Sequence, residues 1–270
     1  YERVLEGLKL MLWGLFMKLV IADRLAIYVN AVYNNADQHS GKTLALATSF
    51  FAFQIYCDFA GYSNMAIGAA KIMGFKLMTN FNRPYFSRSI SEFWKRWHIS
   101  LSTWFRDYLY FSLGGNRVKV SRMYFNLFFV FVVSGLWHGA NWTFIIWGAL
   151  NGFYLVFAIV TEKWRKQFSN LIYLDRIPQL NNFFQIIITF VLACFAWIFF
   201  RANSTQDAFL IIKQILLFKG ELYIGDWPTI IYGISGILFL LNYRHLHQGW
   251  HQSVYLLQSL KAEWSRSKSG

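Results

Sequence analysis

Residues 123–161 read MYFNLFFVFVVSGLWHGANWTFIIWGALNGFYLVFAIVT: two apolar runs, Met123 to Trp137 and Trp142 to Thr161, with only four residues between them. About 20 apolar residues in a helix span the hydrocarbon core of a bilayer, and a link this short joins antiparallel neighbours. The stretch therefore predicts a transmembrane helical hairpin with His138 at its turn. The same test can be carried outward along the chain. Leu5 to Ala22 qualifies although Lys9 and Lys18 interrupt it, and Phe183 to Phe200 is the cleanest span. Thr229 to Asn242 is short, with Pro228 suited to its first turn. A stretch from Thr43 to Phe75 is too long for one simple crossing. Five or six spanning segments follow. Asp207 to Phe218 alternates apolar and polar residues at helical spacing and reads as an amphipathic helix along the interface.

The composition agrees. Of 270 residues, 56% are hydrophobic, 20% aromatic and only 14% charged, whereas an average soluble domain is about a quarter charged. A disordered tail, a coiled coil and an ordinary cytosolic enzyme are excluded. A net charge of +13 raises the question of nucleic acid, but nucleic-acid binders cluster their basic groups on an exposed face and do not devote half the chain to apolar surface. Here the basic residues sort by side. If every run crosses once, ten Lys and Arg lie in 71–122, four in 162–182 and four in 243–270, all on one face. The opposite face holds two in 23–42 and three in 201–227. The positive-inside rule makes the rich face cytoplasmic and puts the His138 turn on, or dipping in from, the other side. Cys57 and Cys194 both lie in apolar runs and read as packing residues, not as a disulfide framework or a zinc site. No repeat or linker divides residues 1–270, which read as one membrane-embedded domain. The chain opens at Tyr1 with no signal-peptide pattern and reads as an excerpt of a longer protein.

Two histidines stand where polar groups are costly. His138 lies in GLWHGANWTFIIWG (135–148), where Gly135 and Gly139 permit close backbone approach and Trp137 and Trp142 could wall a slot. On residue type alone it fits a catalytic base and a histidine capping a helix hairpin equally. His98 lies in SEFWKRWHISLSTWFRDYLYFSLGGNR (91–117). As one helix, this segment would put Trp94, Trp97, His98, Leu101, Trp104, Phe105 and Tyr108 on a broad aromatic face. An interfacial helix with an anchoring belt of Trp and Tyr has the same pattern. Residues 85–113 carry too many charges for lipid and should be buried in protein or line a wet cavity. Gly114 and Gly115 should end the helix. Asp58 is a further intramembrane ionisable group, expected to be structural and to pair with an Arg from 83–106. His245, His247 and His251 invite a metal reading, but no carboxylate or Cys lies near them and no metal site is expected. G-x-S-x-G, a P-loop, G-x-G-x-x-G and H-E-x-x-H are all missing, so a transferase would use His as general base in direct transfer, with no covalent acyl-enzyme.

Residues 80–117 (NFNRPYFSRSISEFWKRWHISLSTWFRDYLYFSLGGNR) and 135–152 (GLWHGANWTFIIWGALNG) resemble the two signature blocks of the membrane-bound O-acyltransferase family. LGGNR after RDYLYF favours the bacterial branch that acts in alginate O-acetylation over the teichoic acid D-alanylation branch. The likeness includes QIYCDFAGYS and weakens after about residue 205. It implies an all-α, polytopic membrane fold, a helical ring with re-entrant or amphipathic helices around a central tunnel, with further spans ahead of residue 1. It implies His138 and His98 as the catalytic residues and Trp97, Trp104, Arg106, Asp107, Asn116, Trp137 and Asn141 as substrate-binding residues. Many relatives carry Asp where this chain has Asn64, which argues against an acidic role there.

The reaction implied is acetyl transfer from a cytosolic thioester, acetyl-CoA, to a hydroxyl of an exported polysaccharide such as alginate or to a periplasmic relay protein. The expected location is the bacterial inner membrane, with the lipid bilayer as partner, no nucleic acid and no permanently bound cofactor. His138 would take the acceptor proton, while His98 orients the acceptor or, if protonated, stabilises the thioester oxyanion. Lys95, Arg96, Arg106, Arg117 and Lys119 could meet the coenzyme's phosphates, although for Lys119 and Arg122 topology explains the charge first. D-alanyl transfer to cell-wall polymers, an acyl transporter that forms no bond, and a structural subunit that docks a soluble acetyltransferase are the rival readings.

Overall fold

The computed structural model describes residues 1–225 and 227–242, and all regular structure among them is helical. His245, His247 and His251, together with the last four basic residues, lie outside the described residues. A continuous helical run begins as α1 (Glu2–Phe16), passes through a π-helical turn (Met17–Ala22) and continues as α2 (Asp23–Tyr33). Next comes α3 (Gly41–Met73), whose N-terminus is capped by Ser40 Oγ accepting from Thr43 N and whose end is turned by Gly74 at φ 94°. The stretch read as too long for one simple crossing lies almost wholly within this single helix. All 33 residues form an unbroken helix, about 50 Å long at 1.5 Å per residue, so its ends project beyond a core of about 30 Å.

The short helices α4 (Ile90–Arg96) and α5 (Ile99–Trp104) follow, then a second π-helical turn (Phe105–Tyr110). Gly114 and Gly115, at φ 98° and 53°, stop the helix as expected. The hairpin is α6 (Val120–His138) and α7 (Trp142–Val160). The chain continues through α8 (Glu162–Leu171), α9 (Pro178–Arg201), the amphipathic α10 (Thr205–Leu217) and α11 (Trp227–Asn242). Among the described residues α3, α6, α7 and α9 are long and apolar enough to cross a membrane, and α11 is a shorter apolar helix. The expected five or six spans are therefore four among the described residues: Leu5 to Ala22 is divided between the 15-residue α1 and the π turn at 17–22, where Lys18 enters an ion pair, and is not among them.

That pair also corrects the partner expected for Asp58. Lys18 Nζ lies 2.7 Å from Asp58 Oδ1 and 2.8 Å from Asp23 Oδ1. The reason is helix packing. Gly14 and Gly61 let the α1 and α3 backbones touch, since a Cβ on Gly61 would sit 2.7 Å from the Gly14 carbonyl oxygen, and the contact brings Lys18 alongside Asp58. The arginines meanwhile find local partners: Arg83 stacks on Phe86 at 4.1 Å, Arg96 binds Glu92, and Arg106 binds Asp107.

The core is aromatic where α3, α4, α7 and α9 meet. Trp97 packs against Phe93 (5.6 Å, stacked) and Trp197 (5.0 Å), and Trp197 stacks on Trp147 (5.9 Å). Trp97, Trp147 and Trp197 are all nearly inaccessible to solvent. Within segment 85–113, Tyr85, Ile90, Phe93, Trp97, Phe105 and Tyr110 are buried in protein, whereas the charged Arg88, Lys95, Arg106 and Asp107 are exposed.

Candidate active site

The helical reading of residues 94–108 as one face fails at its centre. Helix α4 is fixed at its start by Ser89 Oγ accepting from Glu92 N (3.2 Å) and by the Glu92 carboxylate accepting from Arg88 N (2.7 Å). It ends at Trp97, whose backbone is extended, and His98 then turns left-handed at φ 43°, ψ 57° before α5 begins. The two halves of the expected face therefore point to different places. Trp97 is buried, while Trp104 and Tyr108 are exposed. The kink also delivers His98, whose imidazole meets Phe59 of α3 edge-on at 4.5 Å.

His138 arrives differently, as the last residue of a regular 19-residue helix. The hairpin that carries it is packed by contact between backbones: a Cβ on Gly135 would run into the Phe144 carbonyl oxygen, and one on Gly148 into that of Phe131. Asn141 caps α7 by accepting from Thr143 N at 3.1 Å. Three rings surround the imidazole: Trp137 (5.0 Å), Trp147 (5.1 Å) and Phe200 (5.2 Å), all close to perpendicular.

Both histidines line one cavity of about 760 Å³, within the range of small-molecule sites. Its wall on α6 is formed by Met123, Leu127, Val130, Phe131, Ser134 and His138, one face of the helix over about 22 Å. Because α7 runs antiparallel to α6, Glu162 and Arg165 of α8 lie at the end remote from His138. Neither imidazole forms a side-chain hydrogen bond to another described residue, which leaves the ring nitrogens open to a substrate. Burial, and secondarily the nearby His138, push the His98 pKa down to about 4, so at neutral pH His98 is an uncharged donor and acceptor. A protonated His98 waiting for an oxyanion is not what this environment favours.

The other expected site residues divide. Trp97, Arg106 and Asn116 line the cavity. Asn116 Oδ1 accepts from Tyr110 Oη at 2.5 Å, and Arg106 Nε donates to Asp107 Oδ1 at 2.7 Å, which holds the Asp107 carboxyl below its usual range. Trp104, Asp107, Trp137 and Asn141 are not part of the wall, because helix direction at the kink and at the hairpin turn carries them outward. Of the basic residues considered for phosphates, Lys95 and Arg106 line the cavity and Arg96, Arg117 and Lys119 do not; Lys95 has no ion-pair partner among the described residues. Trp147, Trp197 and Phe200 supply the slot expected of Trp137 and Trp142, which are 59% and 69% exposed. Nothing in local spacing marked Trp197 and Phe200, which come from a helix some 60 residues after His138.

Comparison with known proteins gives concordant matches. The family model described as MBOAT, membrane-bound O-acyltransferase family, matches residues 4–201. The "Probable alginate O-acetylase AlgI" of Pseudomonas aeruginosa is 42% identical over 226 residues, 84% of this chain and 40% of the relative. The "Peptidoglycan O-acetyltransferase" of Helicobacter pylori is 39% identical over 82% of this chain and 40% of its own length. A "Teichoic acid D-alanyltransferase" of Bacillus subtilis is 35% identical over 57% of this chain and 40% of its length. The chain thus spans about 40% of the length of these curated relatives.

Proposed function

The chain belongs to the membrane-bound O-acyltransferase family, a multi-pass membrane protein, and we propose that it carries the catalytic centre of an O-acetyltransferase of the bacterial cytoplasmic membrane. The donor is a cytosolic thioester, acetyl-CoA, and the acceptor a hydroxyl of an exported polysaccharide or of a periplasmic relay protein. The observation that carries this reading is the convergence of His98 and His138, 40 residues apart in sequence, on one elongated cavity with basic residues in its wall. The wider similarity to the two O-acetylating relatives than to the D-alanyltransferase favours acetyl as the acyl group.

The thioester enters from the end where α8 supplies Arg165, with the unpaired Lys95 available to a phosphate, and its acyl carbon reaches the aromatic slot at His138. His138 accepts the proton of the acceptor hydroxyl as its oxygen attacks the thioester carbonyl carbon. The C–S bond then breaks, and the thiolate leaves and takes up a proton, giving the ester and free coenzyme A. Neutral His98 hydrogen-bonds the acceptor and orients its oxygen.

The test is acetyl transfer and free-thiol release by the purified full-length protein supplied with acetyl-CoA and a polysaccharide acceptor. A positioned base contributes about 10²- to 10⁴-fold, so His138→Ala should lose at least two orders of magnitude while eluting as folded protein. More than about a tenth of wild-type transfer in that variant refutes the assignment. Acceptor translocation with no thiol released would instead mark a transporter.

A further inference from the structure

The left-handed backbone of His98, disfavoured for any L side chain, persists only where its surroundings over-determine it. The kink also deprives two helix ends of partners: the carbonyls closing α4 and the amides opening α5. The irregular segment ahead of α4 supplies them. Asn82 N donates to Arg96 O at 2.9 Å, and Asn80 O accepts from Ile99 N at 3.0 Å. The Asn80 side chain does more: its Oδ1 accepts from both Ser100 N (3.1 Å) and Ser100 Oγ (2.6 Å), and its Nδ2 donates to Ser63 Oγ on α3 at 3.3 Å. One turn before Ser63, Phe59 is the residue that packs against the His98 ring. Helix α3 therefore grips the imidazole directly and, through Asn80, the backbone that carries it.

We propose that Asn80 is a positioning residue which holds the His98 turn in its left-handed form and so aims the imidazole into the cavity. This rests on the acetyl-transfer reading above. The residue type matters because one side chain must accept twice from Ser100 and donate once to Ser63. Asp retains both acceptances and forfeits only the donation; Ala forfeits all three.

The experiment measures kcat and KM for acetyl transfer by the full-length protein in detergent, with radiolabelled acetyl-CoA so that rates can be followed to about 10⁻⁴ of wild type, alongside the melting midpoint. Asn80→Ala should lower kcat by about tenfold, no more than the loss of the His98 imidazole itself, with donor KM within about twofold of wild type. Asn80→Asp should retain a third or more of the wild-type kcat. In a His98→Ala background, the Asn80→Ala step should change the rate by less than about twofold, since its effect passes through the imidazole. Asn80→Ala activity within about threefold of wild type overturns the proposal, as does equal damage by Asp and Ala, or an undiminished loss in the His98→Ala background. If Asn80→Ala does not fold, Ser100→Ala removes only the hydroxyl donor and takes its place, with an expected three- to tenfold fall in kcat confined to proteins that retain His98. The two readings fail separately: an inactive His138→Ala beside a fully active Asn80→Ala sinks only the positioning role, whereas an active His138→Ala sinks the transfer reading itself.

Discussion

The two histidines of the cavity are held by opposite means. His138 ends a long regular helix whose position is set by backbone contact at Gly135 and Gly148 and by three aromatic rings. His98 sits in a two-residue break between helices of seven and six residues, and hydrogen bonds from an irregular segment keep it there. The first arrangement depends on shape, which a membrane helix pair supplies without any polar group. The second depends on saturating the polar groups that a broken helix exposes, and it holds a left-handed backbone at the cavity wall.

The largest separation between the two should be catalytic. His138→Ala should cost about 10²- to 10⁴-fold in transfer and His98→Ala only about 10- to 10²-fold, because a base takes part in the bond-making step and an orienting donor does not. Steady-state rates of both variants check this, and equal losses would erase the distinction. Next comes the packed hairpin: Gly148→Ala places a methyl against the Phe131 carbonyl and should destabilise by about 1–3 kcal/mol, read as a lower melting midpoint in detergent with no compensating gain. A neutral outcome would mean that contact between backbones does not hold His138. The left-handed turn allows a finer measurement. His98→Gly and His98→Ala lack the imidazole alike, but Gly tolerates φ 43° at no steric cost, so the Gly variant should be the more stable by about 1 kcal/mol. Identical midpoints would remove the strain from the account.

The buried imidazole also sets a pH dependence. In the fold His98 stays neutral down to about pH 4, while in the unfolded chain it takes up a proton near pH 6.5. Between those values the unfolded state binds more protons, so stability is lost as pH falls from about 6.5 to 4. His98→Asn should flatten part of that decline in a melting series, and an unchanged slope would show that the burial of His98 does not contribute.

Much of this was readable along the chain. The turn at His138 and the amphipathic 207–218 segment both follow from residue-by-residue hydropathy and charge, which the bilayer enforces locally. The α4–α5 break was not readable, because WKRWHISLSTW has helical periodicity throughout, and what interrupts it is a set of hydrogen bonds offered from residues 80 and 82. The Asp58 pairing was not readable for a related reason: Lys18 reaches it across two helices that touch at glycines.

The amino-acid order alone carries the membrane-crossing character of the chain, four of its apolar runs, and the placing of His98 and His138 where polarity is costly, since each of these depends on transfer of nearby residues out of water. Long-range packing alone sets that the two imidazoles share one cavity, that Trp197 and Phe200 wall it while Trp104 and Trp137 face away, and that Asn80 binds Ser100 just after the His98 turn. Those outcomes are set by contacts between segments tens of residues apart, and helical periodicity carries no information about which distant carbonyl or amide will satisfy a broken turn.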